Sequence, residues 1–488
     1  MHADLLGRAA LDRLAPDHRP LVDPRELRPR IVHFGLGAFH LAHQALYTEA
    51  AAARTGEPWG IAAVRPRSAA AVTALRAQDC LYSVTERAAT GDRVRVVGSV
   101  VEALRMRADR ARLRELLASP DVTTATLTVT EKGYARRPDT GGLDTADAGV
   151  AADLAAARAG ETELGTVVGA LASALAARFR GCGAPINVIS CDNAAGNGPA
   201  LAGVVGEFVR ESGWPDAEAL LDWLSTSVSF PATVVDRIVP ATTAEHRDLA
   251  SAALGFRDEV AVFGEPYRQW VIQDDFRAAR PAWELDGALL VPDVRPHQLM
   301  KLRLLNGSHS ALAYLGLAAG CGTVADALGT DWGERLVRAL AAEVAATLPA
   351  ADLDAESYVD DLVRRFGNPA MHHRLRQIGS DGSLKLPERW LDALRELRGR
   401  GSTTAVLELA LAAWANATRP GADGAQLFGT TDPAAPALAR CWEHAGTPEE
   451  AVVRLLTTIG AADLAEHEDL VAAVTGHLPA LRAGRIEL

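Results

Sequence analysis

"RIVHFGLGAFHLAHQALYTEAAAARTG", residues 30–56, decides the fold of this chain. The apolar run 30–34 reads as a short buried strand. Gly35 and Gly37 follow at once, and an Ala-rich helical stretch then runs to Gly56, a residue type that commonly closes a helix. Strand, glycine turn and helix together suit a dinucleotide-binding unit, where backbone N–H groups and the helix N-terminus hold a pyrophosphate. The fingerprint is incomplete, because Phe39 and His40 stand near where a third glycine would fall. A tight strand–helix turn with no ligand is the alternative.

Working outward, "WGIAAVRP" (59–66) reads as a second strand, followed by the apolar runs "VRVVGSVVEAL" (94–104), "TTATLTVTE" (123–131) and "INVISCDN" (186–193). Helical stretches such as 164–179 separate several of them. Strands alternating with helices predict a mostly parallel, doubly wound sheet. From about 295 onward the periodicity becomes helical, with few β-branched runs. A boundary is therefore expected around "LLVPDVRPHQ" (289–298), dividing the chain into 1–290 and a mainly α-helical 291–488.

The composition excludes several classes. With 488 residues there is room for two or three cores. A net charge of −12 argues against nucleic acid or an anionic membrane as partner. No apolar run approaches the roughly 20 residues of a membrane helix. The N-terminus mixes charge and proline unlike a signal peptide. Five scattered cysteines without a CxxC pair fit a reducing cytoplasm and no zinc ribbon. A small-molecule substrate is the expected partner, with a monomer or small homo-oligomer as the assembly.

The chain has three lysines (Lys132, Lys301, Lys385) among 50 basic residues, so 47 are arginines. "MKLRLLNGSHSALAYLG" (300–316) holds one of them. On an α-helix, at about 100° per residue, Asn306 falls about 140° and His309 about 80° from Lys301. A lysine on this partly apolar face is desolvated, which lowers its pKa towards that of a general base. Arginine stays protonated and cannot serve. Asn306 can donate to an oxygen that develops negative charge, and His309 can orient it. The alternative is a helix-start lysine reaching solvent. Asp192 and Asn193 of "SCDNAAGNG" (190–198) follow a predicted strand, where ligands gather, although an Asx turn would also explain them. Asp236, inside the apolar "TVVDRIVP", needs a partner: a lysine, or Arg237 or another arginine in a core ion pair.

These stretches, with "TVTEKGY", "EPYRQWVIQD" and "SDGSLKLP", resemble the polyol-specific long-chain dehydrogenase family, which includes mannitol 2-dehydrogenases and fructuronate reductases. The resemblance covers nearly the whole chain, and the Lys-x4-Asn-x2-His pattern with the CDN and VDR motifs is specific. It implies a Rossmann-like domain that binds NAD, with NADP an alternative, and a helical domain carrying the catalytic lysine. It implies metal-independent hydride transfer at a sugar ketone or secondary alcohol. Lys301 would be the acid/base, Asn193 and Asn306 would bind the reacting oxygen, and His309, Asp236 and Lys385 would contact substrate. Gly35, Gly37, Ala38, Phe39, Arg65, Ser68, Thr130 and Glu131 form the expected cofactor set. Arg65, Arg67 and Ser68, with no acid beside them, could accept the 2′-phosphate of NADP, or form a solvated loop.

Lys132 and Gln377, where mannitol-type relatives carry Gly and Arg, lean towards a uronate substrate. Its carboxylate would want a cation, for which Lys132, Arg376 and Arg268 are candidates. Two departures stand out. Leu41 replaces a family Arg, and Gln298 replaces a proton-relay Glu, leaving His297 or water to carry the proton. A mannitol or arabinitol 2-dehydrogenase is the alternative enzyme. A silent nucleotide-binding regulator is the alternative of another class.

Overall fold

The computed structural model describes residues 4–488 except 67, 351–352 and 422–423, and the backbone alone of Glu131. Arg67 therefore lies outside the described residues. The chain divides into two compact units, Met1–Val294 and Arg295–Leu488.

The strands of the first unit, in chain order, are β1 (Arg28–Phe34), β2 (Trp59–Arg65), β3 (Tyr82–Ala88), β4 (Gly91–Val97), β5 (Val100–Arg105), β6 (Thr124–Leu127), β7 (Ile186–Ser190), β8 (Val228–Ser229), β9 (Thr233–Asp236), β10 (Val262–Gly264), β11 (Gln269–Gln273) and β12 (Leu289–Val291). The main sheet runs β5-β2-β1-β6-β7-β8, and every neighbouring pair in it is parallel. Counted within this sheet the order is 3-2-1-4-5-6, that of a Rossmann domain, and the order reverses between β1 and β6. Two three-stranded sheets, β10-β3-β4 and β12-β11-β9, accompany it.

Both faces of the main sheet are covered, so its strands read as apolar runs instead of alternating. On β1, Val32 and Phe34 join a core beneath the helices Arg110–Ala118, Val167–Arg180 and Asn197–Glu211. Ile31 points the other way, into a second core shared with the helix Gln44–Thr55. Burying a side chain such as Phe34 stabilises the fold by about 1.5–3 kcal/mol.

Two features depart from the sequence expectation. "VRVVGSVVEAL" is not one strand: β4 closes a hairpin with β3, and β5 enters the main sheet after Gly98 and Ser99. The helix after the glycine turn is also broken. Ala38–Ala42 is a single turn, His43 leaves helical geometry (φ −131, ψ −89), and Gln44–Thr55 continues to a left-handed Gly56.

Among its described residues the second unit has helices and no strand. Ala405–Ala417 is buried nearly all round and sits in the core with Gly307–Ala318 and Glu468–Arg482. A helix apolar on every face needs such enclosure. Among the described residues no helix is long and apolar enough to cross a membrane.

Candidate active site

In the first unit the candidate site lies at the carboxyl ends of β1 and β6. Gly35 has φ +116, and a Cβ there would lie 2.0 Å from the Thr128 carbonyl oxygen. Glycine is required for both reasons. Gly37 is different: its φ is −148 and an added Cβ would meet ordinary contacts at 3.4 and 3.5 Å. The amides of Gly35 and Leu36 donate to the Val64 carbonyl at 2.9 and 3.0 Å. The amides of Ala38 and Phe39, in the first helical turn, have no intrahelical acceptor.

A buried imidazole supports this turn from below. Thr128 gives its single hydroxyl proton to the Gly35 carbonyl at 3.1 Å. It must therefore accept from His33 Nε2–H at 2.9 Å, so His33 Nδ1 accepts from Thr126 at 2.8 Å. His40 stacks on His33 at 3.4 Å. Burial pushes the pKa of His33 well down and that of His40 down to about 3, so both rings are neutral.

Arg65, expected at a cofactor phosphate, donates to the Leu36 carbonyl and so braces the glycine turn. Ser68 is exposed. Phe39 stacks on His43 at 4.9 Å. Leu41, where the family pattern has Arg, is 3% exposed and belongs to the core.

"TVTEKGY" forms the loop after β6. Thr130 sits at φ 66, ψ 162, a region nearly reserved for glycine that costs about 1–3 kcal/mol. The short helical turn Glu131–Tyr134 follows, and Ala135 closes it in the left-handed region. Lys132 is exposed on this turn. Asp192, after β7, accepts from Thr130 N at 2.7 Å, Val129 N at 3.1 Å and the Tyr134 hydroxyl at 2.7 Å. Burial raises its pKa against these donors. Its carboxylate therefore reaches across to a neighbouring loop instead of forming an Asx turn in its own. Sequence reasoning missed this clamp, since nothing local joins residues 192 and 130. Asn193 is exposed beside it.

Asp236 ends β9, buried at 8%. Arg237 is not its ion-pair partner: that guanidinium binds the Glu86 carboxylate at 3.0 Å and the Glu265 carbonyl. Arg268 is likewise occupied, 2.7 Å from Asp286 and stacked over Tyr47 at 4.4 Å.

In the second unit, Arg295–Met300, Lys301–Asn306 and Gly307–Ala318 run on as one helix whose middle segment is a π-helix. This corrects the expected angles. With i→i+5 bonding each residue turns through less than in an α-helix, so Lys301, Asn306 and His309 are spaced differently around the axis. Such π segments occur often at functional sites. Lys301 is 8% exposed. Asn306 is half-buried. His309 stacks on Phe366 at 5.0 Å and meets His373 edge-on at 4.6 Å. Its Nε2 is buried without a hydrogen-bond partner. Burial pushes its pKa well down, and His373, Arg389, Arg365 and Lys385 push the same way. Lys385 thus shares the surroundings of His309. Its ammonium donates to Ser380 O at 2.6 Å and Ile378 O at 3.3 Å. Arg376 and Gln377 are exposed on the short helix Leu375–Ile378. Gln298 and His297 are half-buried one turn before Lys301.

Residues 29–285 match the mannitol dehydrogenase Rossmann domain and 293–482 the mannitol dehydrogenase C-terminal domain. The chain belongs to the mannitol dehydrogenase family. It is 37% identical to D-mannonate oxidoreductase of Escherichia coli over 95% of this chain and 96% of that one. It is 42% identical to the E. coli uncharacterized oxidoreductase YeiQ over 81% and 80%. Among solved structures, Pseudomonas fluorescens mannitol 2-dehydrogenase in ternary complex with NAD and D-mannitol matches with a TM-score of 0.79 at 33% identity, over 98% of this chain and 96% of that one. Family membership makes this chain an oxidoreductase acting on CH–OH groups. The strand order, and the tight positive-φ turn at Gly35 between β1 and the helix that follows, fit a dinucleotide.

Proposed function

We propose that the chain is an NAD-dependent enzyme that reversibly reduces D-fructuronate to D-mannonate. The burial of Lys301 at the head of the π segment carries this reading, because a buried lysine is a proton-transfer group that arginine cannot replace. When bound, NADH supplies a hydride to the ketone carbon. The Lys301 ammonium gives its proton to the ketone oxygen in reduction, and the free amine takes it back in oxidation. Asn306 and Asn193 are the proposed donors to that oxygen. The neutral His309, with Asp236 and Lys385, is proposed to contact the substrate hydroxyls. Gly35, Gly37, Ala38, Phe39 and Thr130 are proposed to bind the cofactor. Lys132 is the proposed partner of the uronate carboxylate, with Arg376 and Gln377 setting the distal end. The side chain of Glu131 lies outside the described residues. The five free cysteines support a reducing, cytoplasmic setting.

The likeness to D-mannonate oxidoreductase over nearly the full length supports the uronate reading. One observation favours a mannitol-type substrate instead: Arg268, a candidate for the carboxylate, is already paired with Asp286. Initial rates with NADH and NADPH against fructuronate, tagaturonate and fructose decide between them. The expected result is highest kcat/KM with fructuronate and NADH, and a loss of about 10³-fold or more in K301A. Faster turnover of fructose would replace the uronate by a polyol. Near-parent activity of K301A would remove the acid/base role.

A further inference from the structure

We infer that Asp192 is a positioning residue for the cofactor: its carboxylate holds Thr130 in a glycine-like conformation and so fixes the loop that meets the glycine turn. The inference rests on the dinucleotide reading above. Three donors converge on this one buried side chain. Two of them are the consecutive backbone amides of Val129 and Thr130, and on the far side of Thr130 its carbonyl accepts from Gly133 N at 2.8 Å. That is how the chain keeps a β-branched residue at φ 66, ψ 162. The same loop touches Gly35 on its other side, through the Thr128 carbonyl and hydroxyl. The loop is therefore pinned between the glycine turn and Asp192.

A carboxylate is needed because both oxygens accept. An amide of the same shape would turn an N–H towards Thr130 N–H, Val129 N–H or the Tyr134 hydroxyl. Charged acceptors also form the stronger hydrogen bonds. Tyr134 completes the arrangement. Its oxygen lies 2.5 Å from Ser190 Oγ at the end of β7, tying the clamp to the sheet.

The test is titration of the full-length protein with NADH, followed by fluorescence, with melting temperatures and steady-state kinetics on the same samples. Asp192→Asn is expected to raise the NADH Kd by about tenfold or more, and Tyr134→Phe by about threefold. NADH KM should rise in step, and kcat should change less in Tyr134→Phe, which leaves residues 192 and 193 intact. Melting temperatures should stay near the parent's. If D192N does not fold, Y134F decides alone. Parent-like Kd in the folded variants overturns the inference, as does weakening that appears only where the melting temperature collapses. A parent that binds neither NADH nor NADPH overturns this inference together with the proposed function. A parent that binds while both variants are unaffected overturns this inference only.

Discussion

His40 shows how a single residue ties the glycine turn to solution conditions. It is fully buried on His33, and burial holds its pKa at about 3, with His43 also at about 3. Unfolded histidine titrates near 6.5. Above pH 6.5 neither state binds a proton at these rings. Below it, the unfolded chain takes protons that the folded chain refuses, so stability falls as pH drops from about 6.5 towards about 3. The limiting slope is about 1.4 kcal/mol per pH unit for each ring. Glu49, Asp192 and Asp258 slope the other way, because burial raises their pKa values. Comparison with His40→Gln isolates the histidine share: melting temperature should fall less between pH 7 and pH 5 in the variant than in the parent. Parallel profiles would show that His40 is not responsible.

At the scale of elements, the π segment Lys301–Asn306 holds the proposed acid/base and one proposed donor to the reacting oxygen. Its residues are good helix formers, so helix was legible in "KLRLLN", but the i→i+5 register was not. Register depends on how Arg303 reaches the Thr347 carbonyl and the Glu396 carboxylate, and on how Leu304 and Leu305 fill the core. Inserting one alanine after Leu302 should turn Lys301 by about 100° away from His309. Activity is expected to fall by about 100-fold or more with little change in far-UV circular dichroism. Retained activity would show that the π register is dispensable. The same limit hid the break at His43, where nothing in "FHLAHQ" interrupts helical propensity. β1, β2 and the Gly56 cap were readable because period, turn residue and burial all agreed there.

For the molecule as a whole, the sequence reading puts the division after residue 290, which falls inside β12 (Leu289–Val291), whereas the compact units part after Val294. Arginine richness was harder to interpret. Much of it is surface charge, yet Arg178 is fully buried and ties four carbonyls, from Leu117 to Pro185, into one knot. Such roles join distant segments and leave no local signature. Proton transfer by a lysine predicts that no metal is required, so dialysis against EDTA should leave the rate unchanged. A loss restored by added Zn²⁺ would overturn the lysine mechanism.

The scarcity of lysine also governs how the protein can be handled. Lys301 is buried and Lys385 half-buried, whereas Lys132 is exposed on the loop beside the glycine turn. Besides the α-amine, amine-reactive dyes, biotin esters and activated resins will therefore attach at that loop, where the cofactor is proposed to bind. The exposed thiol of Cys182, beyond the opposite end of the preceding helix Val167–Arg180, is the better anchor for a sensor surface or a fluorescent label.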